Sequence, residues 1–126
     1  RLRKELGTQN LQALEYVAPL RHVPCSSLNR IFLLRPDEIE YALSRLSGVY
    51  VVSSDGEDRF TELTLRTIED RTPLIRCHRQ YLVNLDHINE IRLVENGLAE
   101  IVTRCGHKVP VSRRYLRELK AQFGLN

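Results

Sequence analysis

Residues 48–63 read GVYVVSSDGEDRFTEL, and this stretch decides the class of fold. GVYVVS (48–53) is dense in β-branched and aromatic residues, the composition of a half-buried strand. Asp55-Gly56 is a hairpin-turn dipeptide, and apolar character returns at 60–63, so the two runs read as one hairpin. Working outward, the same texture continues. Upstream, NRIFLL (29–34) and 39–43 are short apolar runs. Downstream come 74–78, 91–94, 98–103 and 108–111. Asn96-Gly97, a strong short-range hairpin signal, joins 91–94 to 98–103.

Only two segments carry helical signals. At 64–70, Thr64 can accept a hydrogen bond from an early backbone N–H, Leu65 and Ile68 share a face, and Pro73 follows. At 113–123, Ser112 stands as N-cap, Leu116, Leu119 and Phe123 form one stripe, and Gly124 stops the helix. The expectation is a mostly-β fold of short strands with a short middle helix and a C-terminal helix. No parallel βαβ repeat is visible. A helix-turn-helix reader is excluded, because it needs two adjacent well-formed helices.

A length of 126 residues suits one domain, and 42% hydrophobic content suits a folded one. No apolar run approaches the roughly 20 residues that span a bilayer. Residues 1–18 are polar and broken by Gly7; RLRKEL reads as the end of a preceding helix and GTQNLQ as a linker. The expected organisation is a tail at 1–18, a domain at 19–126, and a cytoplasmic protein of which this is a part. Cys25, Cys77 and Cys105 are odd in number and never in a CxxC pair, so reduced thiols are expected, without disulfide, structural metal or cofactor. Net charge is +3, but residues 71–120 hold ten of the nineteen Lys and Arg against five acids. A basic second half can meet phosphate.

Three places can carry binding chemistry. Ser44–Gly48 offers Arg45, two hydroxyls and a glycine, which taken alone is a turn. The second place is 76–80, with Arg76, His78, Arg79 and Gln80. Strand alternation puts Arg76 and His78 on one face and Cys77 on the other, which argues against a Cys–His dyad. Arg and Gln have the bidentate geometry that reads purine edges, although a solvated strand end is as good a reading. The third is Ser112-Arg113-Arg114. Two arginines at a helix N-terminus oppose its partial positive charge by roughly 0.3–1 kcal/mol each. A phosphate bound there removes the conflict, and Arg117 and Lys120 extend the basic surface. No enzyme constellation is present: there is no phosphate loop, no HExxH, and no nucleophile beside a base.

LIRCHRQYLVNLDHINEI (74–91) and VPVSRRYLRELK (109–120), with SGVYVVSSDGE and FTELTLRTIEDRTP upstream, resemble the signature stretches of LytTR DNA-binding domains. The resemblance covers about residues 21–124. It implies about ten short strands in small sheets, with loops rather than a recognition helix entering successive major grooves of double-stranded DNA. Carried over by position, it implies base contacts near Arg45, Ser47 and Val49, at His78 and Arg79, and at Arg113. Phosphate contacts fall to Arg76, Gln80, Ser112, Arg114, Arg117 and Lys120. It also implies the output domain of a two-component response regulator, with an N-terminal receiver, a cognate sensor kinase and tandem half-sites; the isolated domain is expected to be a monomer. Two other classes fit the sequence less well. An RNA-binding β module needs aromatics on an open sheet face, whereas Phe32, Tyr41, Tyr50, Phe60, Tyr81, Tyr115 and Phe123 sit among core residues. A hydrolase using Cys77 lacks a base.

Overall fold

The computed structural model describes residues 18–125; the tail expected at 1–18 lies outside them except for Ala18. Ten strands form two antiparallel sheets. The larger contains β1 (Val23–Ser27), β2 (Arg30–Leu34), β3 (Ile39–Arg45), β4 (Gly48–Ser53), β5 (Asp58–Thr61), β6 (Ile75–His78) and β7 (Tyr81–Val83), in the order β2-β1-β5-β4-β3-β7-β6. The smaller is β8 (Ile88–Leu93), β9 (Ala99–Thr103) and β10 (Lys108–Val111), with β9 central. Helix α1 (Leu65–Arg71) lies between β5 and β6, and α2 (Arg113–Gln122) follows β10.

The expected hairpins form. Val49 pairs with Thr61 and Val52 with Asp58, while Gly56 N–H donates to Ser53 O with Gly56 at φ 88°. At the β8–β9 turn both Asn96 (φ 65°) and Gly97 (φ 74°) are left-handed, the conformation an Asn-Gly turn supplies cheaply. Thr64 caps α1 by accepting from Thr67 N–H, and Leu65 and Ile68 are buried together. Helix α2 ends in a Schellman motif: Leu125 N–H donates to Lys120 O and Gly124 N–H to Ala121 O.

Two strands went unread. β1 (VPCSS) carries a proline and two serines, so it lacks a strand composition, yet Val23 and Cys25 alternate into the core. Pro24 is tolerated because β1 meets β5 at a single residue pair, and the Thr61 hydroxyl donates to Pro24 O. β7 (YLV) is only three residues long, too short to show an alternating pattern in the sequence. Phe123 is a correction. The helix stops at Gln122, so Phe123 becomes the C-cap, 46% exposed, and the buried stripe is Leu119 with Leu116 partly buried beside it. The aromatics as a group also sit nearer the surface than expected, since none is in the fully buried set.

Two cores result. Val23, Cys25, Ile39, Ala42, Val51 and Leu82 of the large sheet enclose Leu65, Ile68 and Leu74 from α1 and the segment after it. The second core joins Cys77 and Val83 of the large sheet to Ala99, Ile101, Val109 and Val111 of the small sheet and Leu119 of α2. A bulge at Glu40 turns two successive residues inward, so Ile39 fills the first core while the Glu40 carboxylate, fully buried, faces the small sheet.

Candidate nucleic-acid interface

The antiparallel registers bring four connections to one end of the molecule. Arg45 pairs with Gly48 across the β3–β4 turn, and Ser44 N–H donates to Gln80 O at 3.0 Å, which sets the β6–β7 turn beside it. Ser112 N–H donates to Cys77 O at 3.1 Å, fixing the start of α2 to the end of β6. Val111 pairs with Ala99, so the β8–β9 turn is at this end too, and Gly97 lies under Arg113: a Cβ on Gly97 would stand 3.4 Å from Arg113 Cδ. The three stretches named from sequence thus converge, and the β8–β9 turn joins them. Its Asn-Gly turn was legible, but its place against Arg113 depends on the small sheet's register.

The side chains divide by what already holds them. Arg76 is 17% exposed; its Nε and Nη2 donate to Glu69 Oε1 at 3.1 and 2.8 Å and its Nη1 to Arg79 O at 2.5 Å. That guanidinium is held to α1 through Glu69 and to the 78–80 turn through the Arg79 carbonyl. The shared face expected for Arg76 and His78 is corrected. A bulge at Cys77 breaks the alternation, so Arg76 reaches Glu69 while His78 packs edge-on to Tyr81. Val49 is partly buried and packs against the first core. Arg45 is bridged to Asp58 at 3.2 Å and stacked 4.6 Å from the Tyr50 ring centroid, and the Ser47 hydroxyl bonds Tyr50 OH at 2.9 Å.

The second turn is built differently. His78 Nδ1 accepts from Gln80 N–H at 3.1 Å. Burial, aided by the Arg79 charge, pushes the imidazole pKa below its usual value. The neutral ring is thereby favoured, and with Nδ1 accepting from Gln80 N–H it is Nε2 that is left to carry a proton. Arg79 and Gln80 are exposed, and neither Arg79 nor Arg113 makes an ion pair among the described residues.

At the start of α2, Ser112 has N-cap backbone angles but its hydroxyl makes no capping bond. The first turn of the helix holds no acid. Arg113, Arg117 and Lys120 follow at i, i+4 and i+7 and share a face, while Arg114 lies over the Tyr115 ring at 5.2 Å. Cys77 is inert: burial pushes its thiol up to about 12, and its Sγ contacts the carbonyls of Pro110 and Tyr81. Among the described residues no cluster of His, Cys, Asp and Glu could hold a metal, and no helix is long and apolar enough to cross a membrane.

A two-sheet fold that gathers turns and a basic helix start at one end is that of a DNA-binding domain. The profile of the LytTr DNA-binding domain family matches residues 29–124, and the chain belongs to that family. The transcriptional regulatory protein BtsR of Salmonella typhi is 55% identical over 126 residues, which is 99% of this chain and 53% of that protein; BtsR of Escherichia coli K12 gives the same figures. An uncharacterized response regulatory protein of Vibrio cholerae is 56% identical over 105 residues, covering 83% of this chain and 44% of its own length. The chain thus spans about half the length of these relatives. Among solved structures, the LytTr DNA-binding domain of a methyl-accepting/DNA response regulator from Bacillus cereus superposes with a TM-score of 0.77 at 22% identity, covering 84% of this chain and 99% of that one. The expectation of a mostly-β LytTR fold holds.

Proposed function

We propose that this domain binds double-stranded DNA sequence-specifically, with the turns in the major groove and the basic face of α2 on the phosphates. The observation that carries the reading is that Arg79 on the β6–β7 turn and Arg113 at the start of α2 are exposed and without an ion pair among the described residues, at one end of the fold where the backbone bonds at Ser44 and Ser112 hold them. Arg79, Arg113 and the Nε2–H of His78 are the base readers, since an arginine can bond guanine O6 and N7 together. Gln80, Ser112, Arg114, Arg117 and Lys120 take the backbone, where contacts give affinity without base preference. Arg76 supports the second turn from behind.

Relatives that are response regulatory proteins about twice as long support the further reading of a transcription factor's output domain, with no enzymatic activity. Its partners are a receiver domain, a sensor kinase and tandem DNA half-sites in the cytoplasm. Residues 1–18 are assigned to the linker and the rest to the DNA-binding domain. The domain alone is a monomer on one half-site; linking two modules raises avidity by roughly 10²–10⁴. Gel shifts with a duplex selected from a randomised pool, against RNA of matched sequence, test the reading. Preferential duplex binding is expected, and equal or tighter binding of RNA would replace it with the RNA-module reading.

A further inference from the structure

We propose that Leu46 is the base-reading residue of the β3–β4 turn and that it recognises the 5-methyl group of a thymine. The inference rests on the duplex-DNA reading above and deepens it at one position.

Each of its neighbours is otherwise engaged. Arg45 is held between Asp58 and Tyr50, and the Ser47 hydroxyl is tied to Tyr50 OH. Gly48 has no side chain, and Val49 faces the core. Leu46 alone points away from the fold, with a relative exposure of 109%. A single exposed leucine is ordinary on a protein surface, so exposure does not carry the argument; position does. Leu46 occupies the two-residue tip of a turn whose neighbouring Ser44 N–H is bonded to Gln80 O. That bond sets the tip that carries Leu46 beside the turn that carries Arg79 and Gln80.

An isobutyl group offers no hydrogen bond and gains only by leaving water against another apolar group. In the major groove the base edges present donors, acceptors and one apolar group, the thymine methyl. A basic surface with a projecting leucine therefore fits a site that sets a thymine beside the purines read by arginine.

The test removes that methyl alone. Duplexes are selected with this protein from a randomised pool, and each thymine of the preferred sequence is replaced singly by deoxyuridine. Wild type, Leu46→Ala and Leu46→Met are titrated against the series, with thermal melts confirming that all three are equally folded. One thymine is expected at which deoxyuridine weakens wild-type binding about fourfold, the effect of one buried methyl-sized group. Leu46→Ala should bind the thymine duplex about as weakly as wild type binds the deoxyuridine one, with no further loss on substitution, and Leu46→Met should restore the response. A wild-type protein indifferent to every replacement overturns the proposal, as does a Leu46→Ala protein that keeps the wild-type response. Failure to select any preferred duplex is a different result, which defeats the DNA reading itself and this inference with it.

Discussion

His107 Nδ1 lies 3.0 Å from Glu40 Oε1, a bond between residues 67 positions apart that ties β3 of the large sheet to the turn before β10 of the small one. Cys105 N–H donates to the other carboxylate oxygen at 3.2 Å, and His87 Nδ1 approaches it at 3.6 Å. The end that gathers the four connections draws on both sheets, so this polar joint at the opposite end sets how those connections sit relative to one another.

Replacing Glu40 should therefore be costly. Glu40→Gln keeps the shape but loses the charge that the donors from the small sheet face, and a loss of about 1–3 kcal/mol is expected from thermal melts near neutral pH. The pH dependence has a definite sign. Burial acts to raise the Glu40 pKa, but hydrogen bonds from His107, Thr103 and Cys105 outweigh it and leave the carboxyl below its usual value. A carboxyl lowered in the folded state stabilises the fold above its unfolded pKa of about 4.3, and that stabilisation is lost as pH falls through the folded value. Wild type should lose stability on acidification below about pH 5 more steeply than Glu40→Gln does. Parallel stability curves for the two proteins would remove Glu40 from this role.

Binding should fall steeply with salt. If about four to six phosphates are neutralised, log K against log salt should slope at roughly −4 to −5. Arg117→Ala, on the exposed face of α2, should weaken all sequences alike and flatten the slope by about one. A flat salt response would take the phosphates away from this helix.

Arg79→Ala and Arg113→Ala should each relax selectivity at one base pair, worth roughly 1–3 kcal/mol of discrimination, and leave the melting temperature within the small range typical of exposed substitutions. Arg76→Ala should behave differently. It removes the guanidinium bonds to Glu69 and to the Arg79 carbonyl, so both stability and affinity for every duplex should drop. Melting temperatures alongside binding to a small operator library separate the two outcomes. Unchanged base preference in both Arg79→Ala and Arg113→Ala would end the base-reader assignment.

Gly48 has φ 139°, and a Cβ there would stand 2.5 Å from Phe60 Cε1. Gly48→Ala must displace the Phe60 ring or the turn, with an expected loss of about 1–3 kcal/mol, read as a lower melting temperature. A variant as stable as wild type would show that the ring moves aside freely.

The hairpins were legible because turn dipeptides and β-branched runs are local signals. Asn96-Gly97 and Asp55-Gly56 each announced a reversal that is there. β1 escaped because Val23 and Cys25 are its only inward apolar residues, with Pro24 between them and two serines after; partner strands rather than its own composition make it a strand. Of the candidate site, the cationic residues could be named from the sequence, but not which were free. Arg76 and Arg79 look alike in one stretch, and only the fold reveals Glu69 beside the first. The bulges at Glu40 and Cys77 were invisible for the same reason, since an extra residue in a strand leaves no compositional mark. Phe123 fitted a helical stripe in sequence because the stripe continues past Gln122, where the helix does not.

The four connections at the reading end are short segments hung on strand registers that are settled elsewhere, by the two cores and the Glu40 joint. A recognition helix carries its reading residues on one rigid rod, so exchanging one disturbs the pose of the others. If the turns read bases as proposed, the readers here stand on separate supports, and operator preference can drift one turn at a time while the sheets that carry them stay the same.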